Sequence, residues 1–256
     1  MVNYFYANKE SIFKNSIFSE MNQTIRVAVI IPAYNEEASI ASVVSAVHAA
    51  SSDNIQLTPV VVNDCSKDST REIIGTLNCV ALNLPINLGI GGAVQTGIKY
   101  AFDNGFDFCV QIDGDGQHPP QFIPVLEKQL VANNWDVAIG SRYIEKEGFQ
   151  STFMRRTGIQ YFQLLLKLIT GETVTDSTSG MRMMNRKTMK LLYAYYPDEY
   201  PEPEALIIYN RNGLKFGEVP VQMNERMGGQ SSIRGFGAVY YMFKVTIAII
   251  FTYLRQ

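Results

Sequence analysis

The sharpest chemical signal is the run Val110-Gln111-Ile112-Asp113-Gly114-Asp115-Gly116-Gln117-His118-Pro119. Two carboxylates one residue apart follow an apolar stretch that reads as a buried strand. At an extended spacing such groups can point toward one hard cation, which takes oxygen ligands. A cation held there can bridge a diphosphate and neutralise the charge that grows on a leaving group. The bland alternative is an Asp-Gly turn with solvated carboxylates. The position at a buried strand end, beside two other polar strand ends, weighs against it.

Those other ends carry complementary chemistry. In Ile31-Pro32-Ala33-Tyr34-Asn35-Glu36-Glu37, Pro32 ends a strand, Tyr34 offers a flat face for a base, and Glu36 can accept hydrogen bonds from ribose hydroxyls. The competing reading is a strand-to-helix turn capped by Asn35. In Asn63-Asp64-Cys65-Ser66-Lys67-Asp68-Ser69-Thr70, Asp64 can accept the ring N–H of uracil or guanine, whereas Ser66 and Asp68 read as helix caps. A glycine-rich turn, Asn87-Leu88-Gly89-Ile90-Gly91-Gly92-Ala93, has Val94 where a dinucleotide fingerprint needs glycine and contains no phosphate-gripping GK[ST]. Its glycines, Gly92 among them, would let backbone approach a nucleotide and open the next helix.

Toward the C-terminus, Tyr200-Pro201-Glu202-Pro203-Glu204 supplies two carboxylates after a proline-stiffened turn. Either Glu202 or Glu204 could serve as the base that a hydroxyl nucleophile needs. Both could instead stabilise a helix N-terminus through its dipole. Arg142, Arg182 and Arg226 are candidates for a diphosphate or lipid phosphate, since planar guanidinium matches phosphate oxygens. Residues 226–232 are glycine-rich enough to form a loop closing over a donor.

The elements that must position these groups follow from hydrophobic patterning. Val27–Ile31, Val60–Asn63, Cys79–Leu82, Phe108–Ile112 and Val137–Ile139 are short, β-branched and apolar throughout, as expected of strands buried on both faces. Between them lie predicted helices at Glu37–Ala50, Lys67–Leu77, Gly92–Asn104 and Pro119–Ala132. This alternation predicts an α/β fold with a doubly wound, mostly parallel sheet and ligands at the carboxyl ends of its strands. Helices are further expected at Phe153–Leu168 and Glu202–Asn212, and a strand at Lys215–Val221. The expected organisation is an N-terminal extension (1–24), one catalytic domain (25–232) and a C-terminal apolar helix (233–256).

Phe236–Leu254 is interrupted only by Lys244, Thr246 and Thr252 among its apolar and small residues. At about 1.5 Å per residue it could nearly cross a ~30 Å hydrocarbon core. Lys244 near its middle disfavours a simple span. A helix lying at the membrane interface or against a partner protomer is preferred, with a buried core helix as the alternative.

The 256-residue chain has a net charge of −2, so it lacks the basic footprint of a nucleic-acid binder. Three cysteines and two histidines show no zinc-binding spacing and suit a reducing compartment. The first twenty residues lack a continuous apolar core, so no signal peptide is expected, and Met21 is an alternative start.

Taken in order, IPAYNEE, NDCSKDST, NLGIGGAVQTG, DGDGQHPP and GSRY resemble the motifs of family-two glycosyltransferases with the GT-A fold, from about Ile25 to at least Ser232. The branch containing dolichol-phosphate mannose synthase and bacterial polyprenyl-phosphate sugar transferases is the most similar. The resemblance implies an inverting transfer that uses Mg²⁺ or Mn²⁺. It makes Pro32, Ala33, Tyr34, Glu36 and Asp64 nucleotide contacts and Asp113 and Asp115 the metal-binding pair. Asp176, in Thr175-Asp176-Ser177-Thr178-Ser179-Gly180, matches a further motif near the active site, where it would orient the acceptor or bind the loop. Glu202 and Glu204 align with an acidic pair on the acceptor side.

Two departures stand out: Asn63 replaces a frequent aspartate, and Ile144-Glu145 follows GSRY where the lipid-phosphate branch often has two glycines. The Q-x-x-R-W signature of processive synthases is absent, which favours transfer of a single sugar. The expectation is a nucleotide-diphosphate-sugar donor and a glycan or polyprenyl-phosphate acceptor in cell-surface polysaccharide synthesis, at the cytoplasmic face of a membrane. A lipid phosphate is already ionised and needs no base. The alternatives are a non-catalytic nucleotide-sugar-binding subunit and a sugar-nucleotide pyrophosphorylase. The latter requires a basic, glycine-rich loop after the first strand, which IPAYNEE does not supply.

Overall fold

The structure, a computed structural model, describes residues 24–145, 153–198, 200–225 and 236–254. Among them, seven strands form one sheet: β1 (Ile25–Ala33), β2 (Ile55–Asn63), β3 (Val80–Asn83), β4 (Phe108–Gln111), β5 (Val137–Ser141), β6 (Arg182–Asn185) and β7 (Phe216–Pro220). The helices are α1 (Ile40–Ala49), α2 (Thr70–Ile74), α3 (Gly89–Asp103), α4 (Ile123–Ala132), α5 (Phe153–Thr170), α6 (Arg186–Ala194), α7 (Pro201–Arg211) and α8 (Phe236–Leu254). A 3₁₀ turn at Pro120–Phe122 leads into α4.

The spatial order is β3-β2-β1-β4-β6-β5-β7, parallel except for β6, which runs antiparallel to both neighbours. Alternate residues of β1 feed two separate cores. Ala28 and Ile30 face α3, α5, α6, α7 and α8, while Val27, Val29 and Ile31 face α1 and α4. Burial on both faces explains why the parallel strands read as unbroken apolar runs.

Pro32 does not end β1; the pairing with β2 continues to Ala33 opposite Asn63. The Ile30 carbonyl accepts from Ile112 on the β4 side, whereas the Ala33 carbonyl accepts from Asp64 on the β2 side. By alternation, the N–H that Pro32 lacks faces the β4 side, beyond the last residue of β4, where no ladder bond is lost.

Several boundaries differ from expectation. The first helix starts at Ile40 rather than Glu37, because residues 34–37 are drawn into contacts with the loop after β2. The second shrinks to five residues, and the third begins at Gly89. The pairing of β6 and the helix α6 were not foreseen. A four-residue strand beginning with arginine and ending in asparagine carries no recognisable period.

Among the described residues no helix is long and apolar enough to cross a membrane. Helix α8 buries Val245 and Ile249 in the core and leaves Tyr240, Phe243, Phe251 and Leu254 exposed. Glu204 accepts a 2.6 Å hydrogen bond from Thr252, and Arg211 donates to the Thr252 carbonyl, so α7 holds α8.

Candidate active site

Loops after β1, β2 and β4 meet at the carboxyl ends of the central strands. Asn35, at φ 57°, does not cap α1; its Oδ1 accepts the Lys67 amide N–H and its own amide donates to Ser66. Asp68 Oδ2 accepts the Glu37 amide, and Glu37 accepts the Ser69 amide. Ser66 and Asp68 therefore tie two loops together rather than simply capping a helix. This brace presents Tyr34, which is 43% exposed, and places Glu36 against Gly114 of the Asp-Gly-Asp loop. Pro32 and Ala33 are buried beneath it.

Asn63 stands where the resembling family often has aspartate. Its Oδ1 accepts the Ser66 amide and its Nδ2 donates to Asn83, a double role that a carboxylate cannot fill. Asp64 is almost fully buried and accepts the amides of Leu88 (2.7 Å) and Gly89 (2.9 Å), anchoring the glycine-rich turn. Gly91 is needed for packing: its amide donates to Asp198, and a side chain there would collide with the Pro197 and Asp198 backbone. Gly92 lies inside α3 against Leu88. Gly91 thus lets one stretch of chain pass close to another, and the turn opens α3 at Gly89.

The Asp113 side chain is 35% exposed, whereas Asp115 is 5% exposed with one oxygen accepting the Gln117 amide. The Asp113 amide donates to Nδ1 of buried His118 at 3.0 Å. Asn224, beyond β7, donates its amide to the Gln117 carbonyl and closes the far side of the loop. A methyl group on Gly180 would lie 3.2 Å from both Asp113 Oδ1 and Gln111 Nε2, so a larger residue there would press on both side chains.

The structure places Asp176 away from free proton transfer. It is fully buried, and Arg142 grips it through Nε–Oδ2 and Nη2–Oδ1, both 2.7 Å. The Glu218 carboxylate accepts the amides of Thr175 and Asp176, fixing the loop from β7. Arg142 is committed to this pair, although Asp113 also acts on its charge. Arg182 is 1% exposed, with Nε and Nη2 donating to the Ser179 and Ser177 carbonyls. It is a buried cation, not a surface phosphate ligand. Arg226 and the 226–232 loop lie outside the described residues.

The two candidate bases separate cleanly. Glu204 points to Thr252 of α8. Glu202 enters a polar cluster with Gln111, Arg182, Tyr196 and Tyr209. Burial pushes the Glu202 carboxyl above its ordinary value, Arg182 pulls it back, and the Asp113 charge adds to the rise. Sequence reasoning missed Gln111, Gly180, Tyr196, Tyr209 and Glu218 as parts of the site. Gln111, a polar residue interrupting an apolar strand, was the one available signal.

Among the described residues no three His, Cys, Asp or Glu side chains are grouped to hold a metal. Asp113 and Asp115 fit a different arrangement, in which one or two carboxylates bind Mg²⁺ or Mn²⁺ and substrate phosphates and water complete the shell.

Comparison with known proteins agrees with this layout. The model for "Glycosyl transferase family 2" matches residues 28–192. A UDP-N-acetylglucosamine–dolichyl-phosphate N-acetylglucosaminyltransferase of Methanococcus voltae is 32% identical over 216 residues, covering 77% of this chain and 84% of that protein. A polyprenol monophosphomannose synthase of Mycolicibacterium smegmatis is 29% identical, covering 87% and 86%. Glucosyl-3-phosphoglycerate synthase from Mycobacterium tuberculosis, crystallised with Mn²⁺, UDP and glucosyl-3-phosphoglycerate, superposes with a TM-score of 0.67 at 22% identity, covering 91% and 81%. The sheet with its single antiparallel insertion, the clustered strand-end loops and these matches lead to one assignment: the chain belongs to glycosyl transferase family 2, has the GT-A fold and is a glycosyltransferase.

Proposed function

We propose that the protein transfers one sugar, with inversion, from a nucleotide-diphosphate donor to a hydroxyl of a glycan or lipid-linked acceptor. The observation that carries this reading is Glu202, a half-buried residue whose carboxylate shares a polar cluster with Gln111, itself next to Asp113 at Gly180. In this reading Tyr34 stacks on the base and Glu36 receives the ribose. Asp64, already ordering the turn at Leu88 and Gly89, keeps spare lone pairs for a ring N–H. Asp113 and Asp115 hold the diphosphate side of the donor, where Mg²⁺ or Mn²⁺, when bound, balances the charge of the leaving nucleotide. Glu202 takes the proton of the acceptor hydroxyl as its oxygen bonds to the anomeric carbon. The bond from that carbon to the diphosphate oxygen breaks on the opposite face, and the nucleoside diphosphate departs.

A second reading, favoured by the names of the Methanococcus and Mycolicibacterium relatives, makes the acceptor a polyprenyl phosphate. That acceptor is ionised beforehand and leaves Glu202 without a proton to accept. Under either reading, the exposed apolar residues of α5 and α8 suit a helix pair resting on the cytoplasmic face of a membrane.

The test is nucleotide release from UDP-glucose and UDP-N-acetylglucosamine with Mn²⁺, using a panel of glycan hydroxyl acceptors and a polyprenyl phosphate. We expect Glu202→Gln to abolish transfer to hydroxyl acceptors while UDP still binds. Full turnover by Glu202→Gln on polyprenyl phosphate, with no hydroxyl acceptor used by the native enzyme, overturns the first reading in favour of the second.

A further inference from the structure

The first turn of α3 is shared between two parts of the chain that are far apart in sequence. The amides of Leu88 and Gly89 donate to the two carboxylate oxygens of Asp64, at 2.7 and 2.9 Å. The Gly91 amide donates to the Asp198 carbonyl at 3.2 Å, in the segment that leads into α7. A helix supplies no partner of its own for these first amides, so the groups that accept from them are fixed against its end. One such group belongs to the loop after β2, and the other to the approach to Glu202.

That approach is pinned at two further points. One turn along α3, Gln95 Nε2 donates to the Leu192 and Tyr193 carbonyls at 3.2 and 3.3 Å. The buried Tyr196 hydroxyl donates to Gln111 Oε1 at 3.4 Å. Gln111 Nε2 and Asp113 Oδ1 each lie 3.2 Å from the point that a Gly180 side chain would occupy, so this pin reaches the neighbourhood of the Asp113 loop.

Gly91 is what lets α3 come so near. A Cβ there would collide with backbone, the Pro197 carbonyl oxygen and Asp198, and one side would have to move. Ala93 and Val94 of α3 are in the core, and α7 is buried over 203–209, whereas Asp198 is exposed. The approach to Glu202 is therefore the part that yields. Glycine inside a helix carries an entropic cost relative to alanine, so helix propensity alone would favour alanine at this position.

We propose that Gly91 and Tyr196 are positioning residues that seat the entry of α7 on the turn ordered by Asp64 and so set where Glu202 stands relative to the diphosphate. The proposal rests on Glu202 serving as the base. A base must stand within hydrogen-bond reach of the proton it takes, and a misplacement of about 1 Å can cost about a hundredfold in rate.

The experiment compares Gly91→Ala, Tyr196→Phe and Glu202→Gln with the wild type. UDP binding with Mn²⁺ is titrated calorimetrically for affinity and stoichiometry. Both kcat and KM are measured with the UDP-sugar and hydroxyl acceptor that turn over in the panel above. For Gly91→Ala we expect kcat to fall about a hundredfold and acceptor KM to rise, with UDP affinity and stoichiometry at wild-type values. Partial unfolding would lower kcat too, but it would lower the number of UDP sites with it and leave acceptor KM alone. Tyr196→Phe, which removes one long hydrogen bond and little bulk, should lose about two- to tenfold in kcat with the same pattern. Wild-type kcat in a folded Gly91→Ala protein overturns the proposal. So does a UDP affinity that falls along with kcat, since the donor turn itself would then have moved. If Gly91→Ala does not fold, Tyr196→Phe decides: lower kcat with intact UDP binding supports the seat, and unchanged kcat overturns it. Full turnover by Glu202→Gln sinks the base and the proposal with it, whereas an inactive Glu202→Gln beside a fully active Gly91→Ala sinks the seat alone.

Discussion

The Arg142 guanidinium meets both oxygens of the Asp176 carboxylate at 2.7 Å, with the two side chains 9% and 0% exposed. Such a pair contributes through geometry as much as through charge. Removing one partner leaves the other buried and uncompensated. We therefore expect Asp176→Ala to lower the unfolding free energy by about 3–5 kcal/mol. Adding Arg142→Met should restore much of that loss. Urea unfolding of the single and double variants measures it. Simple additivity of the two losses would show that the pair is not coupled.

Asp113 and Asp115 differ in surroundings, yet both face the diphosphate in the proposed function. Asp113→Asn and Asp115→Asn should each reduce transfer about a hundredfold or more, since even outer groups around catalytic metals cost up to that. The thermal stabilisation by UDP should lose its dependence on Mn²⁺. Stabilisation that depends on Mn²⁺ as strongly in both variants as in the wild type would place the metal elsewhere.

Asp136 carries a separate, structural prediction. Burial works against its charge, but Asn185, the Lys215 amide and Lys187 donate to its carboxylate and together hold its pKa below the ordinary value of 3.8. A depressed folded-state value means that this stability is fully present above the ordinary value and is lost as pH falls through the folded one. Asp136→Asn should cost about 1.5–3 kcal/mol at neutral pH, as expected for charged hydrogen bonds. The gap to wild type should narrow below pH 3.8, which denaturant melts across pH 2–7 can follow. A gap that does not change with pH would exclude the carboxylate's charge as the cause.

On α5 and α8, Leu168 and Phe251 are 77% and 68% exposed. Changing both to glutamate should leave thermal stability near wild type. Binding to phospholipid vesicles, measured by co-flotation, should fall about tenfold or more, because interfacial binding scales with buried apolar area. Unchanged flotation would remove the membrane from the account of this face.

The division between what was legible in the chain and what was not follows the range of the forces involved. Parallel strands, crossover helices and the Asp113–Asp115 loop are local patterns, so period and turn chemistry revealed them. The same local view could not see the packing role of Gly91, because the segment that crowds it, at Pro197 and Asp198, arrives about a hundred residues later in the chain. It could not rank Glu202 against Glu204, two positions apart on one helix. Only the fold separates their surroundings, Thr252 of α8 beside Glu204 and Arg182 with Gln111 near Glu202. Likewise, Arg142 and Arg182 look equally fit for phosphate as letters in a sequence. Only the packed molecule, by burying both and giving Asp176 to one, decides which charges are spent inside the protein. Sequence determined which residues could do chemistry at the strand ends; tertiary structure decided which of them are free to do it, because burial and compensating charge depend on neighbours distant along the chain.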